Sequence, residues 1–129
     1  MRLADFRITR FQYARDRVIG DSQVRIDDVN VATLELIAEN GQIGLGFIQT
    51  LFFPLPAVSE IERVFRAEAW PALEGQPPAG LVHRVGRPRG GNQRPYTLPF
   101  HEALQVAAWD LAAKEVGLPL HRYLGSRRD

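Results

Sequence analysis

Phe100–Gly125, FHEALQVAAWDLAAKEVGLPLHRYLG, is the stretch whose reading decides the fold. Ala, Leu, Gln, Glu and Lys fill its first part, and these residues lose little side-chain freedom in a helix. The pattern predicts one helix over 100–116. Gly117 and Pro119 then supply a stop, because glycine accepts the left-handed conformation that ends a helix and proline cannot continue one. At 100° per residue, one apolar arc holds Phe100, Leu104, Ala107, Ala108 and Leu111, and a second, nearly opposite, holds Val106, Trp109, Ala113 and Val116. A helix on the skin of a small domain needs one apolar stripe. Two stripes predict cover on both sides: the chain's own sheet on one, and on the other either the 75–98 segment, with Pro77, Pro78, Leu81 and Val82, or another subunit or domain.

The remainder of the chain must therefore supply a sheet. Phe6 and Ile8 alternate with Asp5, Arg7 and Thr9, the period of a half-buried strand, and predict a first strand over 2–13. The apolar parity then shifts to Phe11 and Tyr13, which suggests a bulge or change of face near Arg10. Arg15, Arg17 and Ile19 follow in a connection, with Gly20 as a bend. A second strand is expected over 24–39. Val29, Val31, Thr33 and Ile37 lie on one parity and Ala32, Leu34, Leu36 and Ala38 on the other, so both faces are apolar and the strand should be interior. Asn40-Gly41 is a hairpin signal, read as a two-residue turn with positive φ. The third strand, 43–50, puts Ile43, Leu45 and Phe47 on one side and Gly44 and Gly46 on the other, where glycines imply a closely packed helix or loop.

Phe52 and Phe53 lie between Leu51 and Pro54 in a stiff segment that either packs on the core or presents apolar surface. A helix over 58–70 follows. Ser59 and Glu62 have capping-box spacing, Pro71 limits the helix, and Val58, Ile61, Val64, Phe65 and Ala69 should face the sheet. The β-β-β-α-α order is that of an α+β domain, a three-stranded antiparallel sheet followed by a helical part. Between them, 75–98 reads as an irregular basic loop carrying Arg87, Arg89 and Arg94. It could be a solvated loop, a contact arm or an anion-touching segment, since an arginine fork matches a carboxylate.

At 129 residues this is one domain by size, 1–129. Sixteen basic against fifteen acidic residues leave a formal charge of +1, which argues against a nucleic-acid binder. No cysteine is present, so thiol chemistry is excluded and a reducing compartment is the default. No apolar run approaches a membrane span, and charges in MRLADFRITRF break any signal-peptide core. A cytoplasmic protein with no membrane or nucleic-acid partner is expected. His83, His101 and His121 lack ligand spacing, Asp27-Asp28 suits a turn or strand edge, and Asp110 reads as an i,i+4 partner of Lys114. No active site or metal site can be assembled from these residues.

The steps Trp109-Asp110-Leu111, Lys114, Gly117, Pro119-Leu120 and Leu124-Gly125 resemble the close of the amino-terminal capping domain of the enolase superfamily, in its mandelate racemase and muconate-lactonizing branches. The likeness is specific over Glu102–Gly125 and looser over the strands and the earlier helix. It implies a capping domain whose catalytic barrel, with its Mg²⁺ ligands and acid/base residues, is absent, so that the chain is expected to be truncated and inactive alone. The complete enzyme would be a racemase, epimerase or acid-sugar dehydratase that removes the proton α to a carboxylate, with Mg²⁺ as cofactor and a small carboxylate as substrate. The resemblance makes Ile19, Phe52 and Phe53 substrate-capping residues, with Arg15 and Arg17 as candidates for an anionic substrate. Val106, Trp109, Ala113, Val116, Arg87, Arg89 and Arg94 are the interface candidates, toward the barrel, other subunits or a second copy. A stand-alone interaction or assembly module is the competing expectation.

Overall fold

The computed structural model describes residues 1–20, 25–49, 54–84 and 96–125, and gives the backbone alone for 15–20, 25–29 and 83–84. Three antiparallel strands, β1 (Leu3–Gly20), β2 (Arg25–Ala38) and β3 (Ile43–Gln49), form a sheet in the order β1-β2-β3. β2 is thus interior. Its inner parity, Ala32, Leu34, Leu36 and Ala38, is buried, whereas Val31, Thr33 and Ile37 are half-covered. The β1–β2 register runs without interruption from Asp5↔Ile37 through Arg10↔Ala32 to Ala14↔Asp28, with irregularities before Asp5 and between Ala14 and Ile19. No bulge occurs near Arg10. Phe11 and Tyr13 lie on the outer face at 39% and 55% exposure, so the parity shift in the sequence marks where helical cover ends.

The Asn40-Gly41 turn forms, but as a longer connection than the two-residue type. The Gly41 N–H donates to the Ala38 carbonyl, and the Ala38 N–H to the Gln42 carbonyl, both at 2.9 Å. Only Gly41 takes a positive φ, 87°, and Asn40 Oδ1 accepts from the Gln42 N–H at 3.0 Å. A turn closed by one left-handed glycine matches the strand twist as the mirror-image turns do.

Five helices cover the inner face: α1 (Val58–Glu68), α2 (Trp70–Leu73), α3 (Pro78–Arg84), α4 (Phe100–Glu115) and α5 (Leu120–Tyr123). Ile61, Val64, Phe65 and Ala69 point inward as the spacing predicts, but Val58 is 40% exposed. The expected 58–70 helix divides at Ala69, and Pro71 sits in the first turn of α2, where its missing N–H costs nothing. The capping box does not form. α1 begins after Ala57 with no side-chain cap, which leaves Ser59 inside the first turn. The supposed basic loop contains α3, whose Pro78 and Leu81 are fully buried and which packs on α4. Phe6 stacks on Phe65 at 4.6 Å and Trp70 at 5.0 Å, and Phe65 meets Phe100 edge-on at 5.2 Å.

The tightest contact joins β3 to α4. A methyl group at Gly46 would lie 2.1 Å from the Ala103 carbonyl oxygen, and one at Gly44 2.2 Å from that of Ala107 and 2.8 Å from Leu111 Cβ. These neighbours are helix backbone and cannot turn aside. Gly46→Ala is therefore expected to destabilise the fold by about 1–3 kcal/mol, lowering Tm by roughly 3–10 °C. Gly80→Ala, whose methyl would meet Pro77 Cγ at 3.6 Å, should leave Tm near the wild-type value. Thermal unfolding followed by circular dichroism compares the two.

Candidate functional site

β3 ends at Gln49, opposite Val31. Beyond that row, β1 and β2 continue as a two-stranded ribbon from Gln12↔Asn30 to Gly20↔Arg25. Arg15, Arg17 and Ile19 lie on this ribbon, in β1 rather than in a loop, and Ile19 pairs with Ile26. Phe52 and Phe53 fall outside the described residues, as do Arg87, Arg89 and Arg94. The described chain resumes at Pro54, whose neighbour Leu55 is buried.

The second arc of α4 is divided. Ala113 is buried, and Trp109 is half-buried with its ring 5.8 Å from Tyr123 on α5. Val106 and Val116 stay open at 47% and 56% exposure, with Leu118 and Leu124 also open. Self-coverage therefore comes from α5 as well as from α3, and it is partial. A second apolar surface lies across the molecule on the outer face of the sheet, where Phe11, Tyr13, Leu45 and Phe47 are exposed.

The acidic groups that remain in view are committed to structure. Asp110 Oδ2 accepts from the Leu45 N–H at 3.0 Å and from Lys114 Nζ at 2.9 Å, and Lys114 Nζ donates to the Ile43 carbonyl at 2.6 Å. The pair is more than an i,i+4 ion pair, since it satisfies the outward backbone groups of an edge strand. Glu60 and Glu62 pair with Arg63 and Arg66 on α1. Glu68 accepts from the Thr97 N–H at 2.8 Å and from the Thr97 hydroxyl. These bonds hold its carboxyl below the ordinary glutamate range. Burial, helped by the Glu68 charge, pushes the Tyr96 phenol up. Among the described residues no three of His, Asp and Glu come together as a metal site, so these residues do not fit the Mg²⁺ that the resemblance implies, and no step is derived through it. No described helix is long and apolar enough to cross a membrane.

Sequence reasoning missed two polar ties, both long-range: Glu68 to Thr97, and Arg10 to Asn30 and Leu55. Arg10 did carry a signal, as a cation on the same parity as the core residues Phe6 and Ile8.

Among known proteins, a candidate mandelate racemase from Mesorhizobium loti is 68% identical across the whole chain, with a TM-score of 0.87, and the chain spans 33% of it. L-Talarate dehydratase from Polaromonas, in a complex with Mg and L-glucarate, is 25% identical over 99% of the chain and 36% of its own length, with a TM-score of 0.67. The D-gluconate/D-galactonate dehydratase of Picrophilus torridus is 29% identical over 98 residues, which is 74% of this chain and 24% of that protein. No protein-family model matches. The chain thus spans a quarter to a third of the relatives it matches.

The Glu68 tie yields a pH signature. A carboxyl with a depressed folded pKa stabilises the fold above its unfolded value, and that contribution is lost as pH falls through the folded pKa. Glu68→Gln should lower Tm at pH 7 by a small amount, the tie being exposed and worth under about 1 kcal/mol. The gap to wild type should close as the pH drops below the ordinary glutamate range. A Tm difference that stays constant down to acid pH would assign the effect to packing instead.

Proposed function

We propose that this chain, an amino-terminal capping domain of the enolase superfamily in its mandelate racemase branch, is the substrate-capping and specificity part of a Mg²⁺-dependent enzyme. That enzyme acts on an α-hydroxy or sugar acid by removing the proton α to its carboxylate, as a dehydratase or a racemase/epimerase. The likeness to the Mesorhizobium loti protein over every residue of this chain carries the reading, and the acid-sugar dehydratases among the relatives favour the substrate class. Proton transfer falls to the remainder of the polypeptide, because the carboxylates described here are engaged in structural bonds. This chain contributes shape. The β1–β2 ribbon with Ile19, and Phe52 and Phe53 near the Pro54–Pro56 turn, wall the pocket and exclude water, which strengthens the electrostatics beneath. Arg15 and Arg17 supply positive charge toward an anionic substrate. Mg²⁺ when bound would stabilise the enediolate.

A chimera tests this. The chain replaces the matching third of the Mesorhizobium loti protein and is assayed with Mg²⁺ against gluconate, galactonate and a set of α-hydroxy acids. Expected are turnover by the chimera and none by the 129-residue chain alone. A folded chimera that turns over nothing its parent accepts would sink the capping reading and favour an assembly module. Turnover by the chain alone would remove the reason for calling it a cap.

The open part of α4 and α5 is the surface we assign to the rest of the polypeptide. Fully burying each large apolar side chain there is worth roughly 1.5–3 kcal/mol. Left uncovered in the isolated chain, Val106, Val116, Leu118 and Leu124 should drive self-association. Sedimentation is expected to show oligomers for wild type and a monomer of unchanged helix content for Val106→Glu with Leu124→Glu. A monomeric wild type at high concentration contradicts the assignment.

A further inference from the structure

On the core-facing side of β1 the side chains run Phe6, Ile8, Arg10, Gln12. The first two are buried and Arg10 is half-buried, so the guanidinium begins where the helical cover stops. Its Nη2 donates to Asn30 Oδ1 at 3.0 Å and to the Leu55 carbonyl at 3.2 Å, and its Nη1 donates to Gln12 Oε1 at 3.1 Å. Nε is shut off from solvent and makes no hydrogen bond. One planar group therefore ties β1, β2 and a segment forty-five residues away in sequence.

Leu55 stands between Pro54 and Pro56. Neither proline has an N–H, so this turn has few donors with which to hold itself to the sheet. Its attachment consists of the buried leucine side chain and the carbonyl that Arg10 holds. An apolar residue at position 10 would extend the core with less desolvation. The guanidinium exchanges that for direction, because a rigid fork fixes several acceptors at once where an ammonium is a single rotating point.

We infer that Arg10 is a positioning residue. It fixes the distance between the β1–β2 ribbon and the Pro54–Pro56 turn, and through that distance sets which acids, by size, the complete enzyme accepts. This rests on the capping reading, and two measurements keep the two apart.

The first uses the 129-residue chain. Hydrogen exchange by NMR follows the Arg10 Nε–H and the backbone amides of Leu55 and Ala57. The Nε–H should exchange far more slowly than those of solvated arginines. Arg10→Lys should speed exchange at Leu55 and Ala57 by roughly tenfold or more and leave Leu34 and Leu111 unaffected. Equal acceleration at all four amides would make Arg10 an ordinary stabilising residue, and no acceleration would mean no tie; either overturns the inference.

The second uses the chimera. Arg10→Lys should change the ratio of kcat/KM between a short α-hydroxy acid and a six-carbon sugar acid by roughly tenfold, with Tm little altered. Asn30→Asp, which keeps the acceptor, should preserve the ratio. An unchanged ratio in an active Arg10→Lys chimera overturns the specificity role. An unmutated chimera that is inactive sinks the capping reading and this specificity role with it, while the exchange result still decides the tie.

Discussion

The backbone of α4 lies directly on β3, and the rest of the domain is arranged to permit that contact. A helix usually meets a sheet through side chains. Here Gly44 and Gly46 remove them, and the carbonyls of Ala103 and Ala107 occupy the space. The helix contributes small residues in turn: Ala103, Ala107, Ala108 and Ala112 are all buried. Small side chains bury little apolar area, so the contact gains from dispersion between closely spaced atoms. The large burial is displaced to the flanks, where Phe65, Phe100, Leu104 and Leu111 fill the volume beside it.

Such an approach also settles the edge of the sheet. β3 is an outer strand, and an outer strand presents unpaired backbone groups that invite another strand. Because α4 is so near, side chains on its next turn reach over the edge. Asp110 takes the Leu45 N–H and Lys114 the Ile43 carbonyl. At the opposite edge the start of β1 is closed by the α2–α3 connection, with Leu3 exchanging bonds with Gln76 and Gly75. Both closures sit at the helix-covered end.

What could be read from the residues followed burial. Strand parity, the interior position of β2, the inward faces of α1 and α4 and the role of the two glycines were legible because each is set by local period or by a missing side chain. The distal half of β1 was not. Past Ile8 no helix covers the inner face, so Arg10 and Gln12 occupy positions where the alternation would call for apolar residues, and the strand reads as a connection. α3 was hidden by its length and by Gly80. The capping box failed because the Pro54–Pro56 turn starts α1 one residue too early for Ser59 to act as cap. Arg10, Glu68 and Asp110 each bond across long sequence distances, and only the assembled fold pairs them. For the candidate site the ribbon could be placed from the sequence only as a loop, and the tie beside it was not legible at all.

The domain is therefore graded along its strands. At one end Leu34, Leu36 and Ile48 are fully buried and three strands are paired. At the other, two strands run on together past the last residue of β3, and a two-stranded ribbon has marginal stability of its own. Opening that end costs less than unfolding the whole. Substitutions on the ribbon can then alter what it touches without drawing on the core. Such freedom has a limit, because a specificity surface must still be held in place to discriminate between substrates. Arg10 lies on the boundary between the two regimes, within reach of both strands and of the turn that leads into α1. Its polar side chain succeeds the apolar row at the point where the requirement changes from burial to alignment.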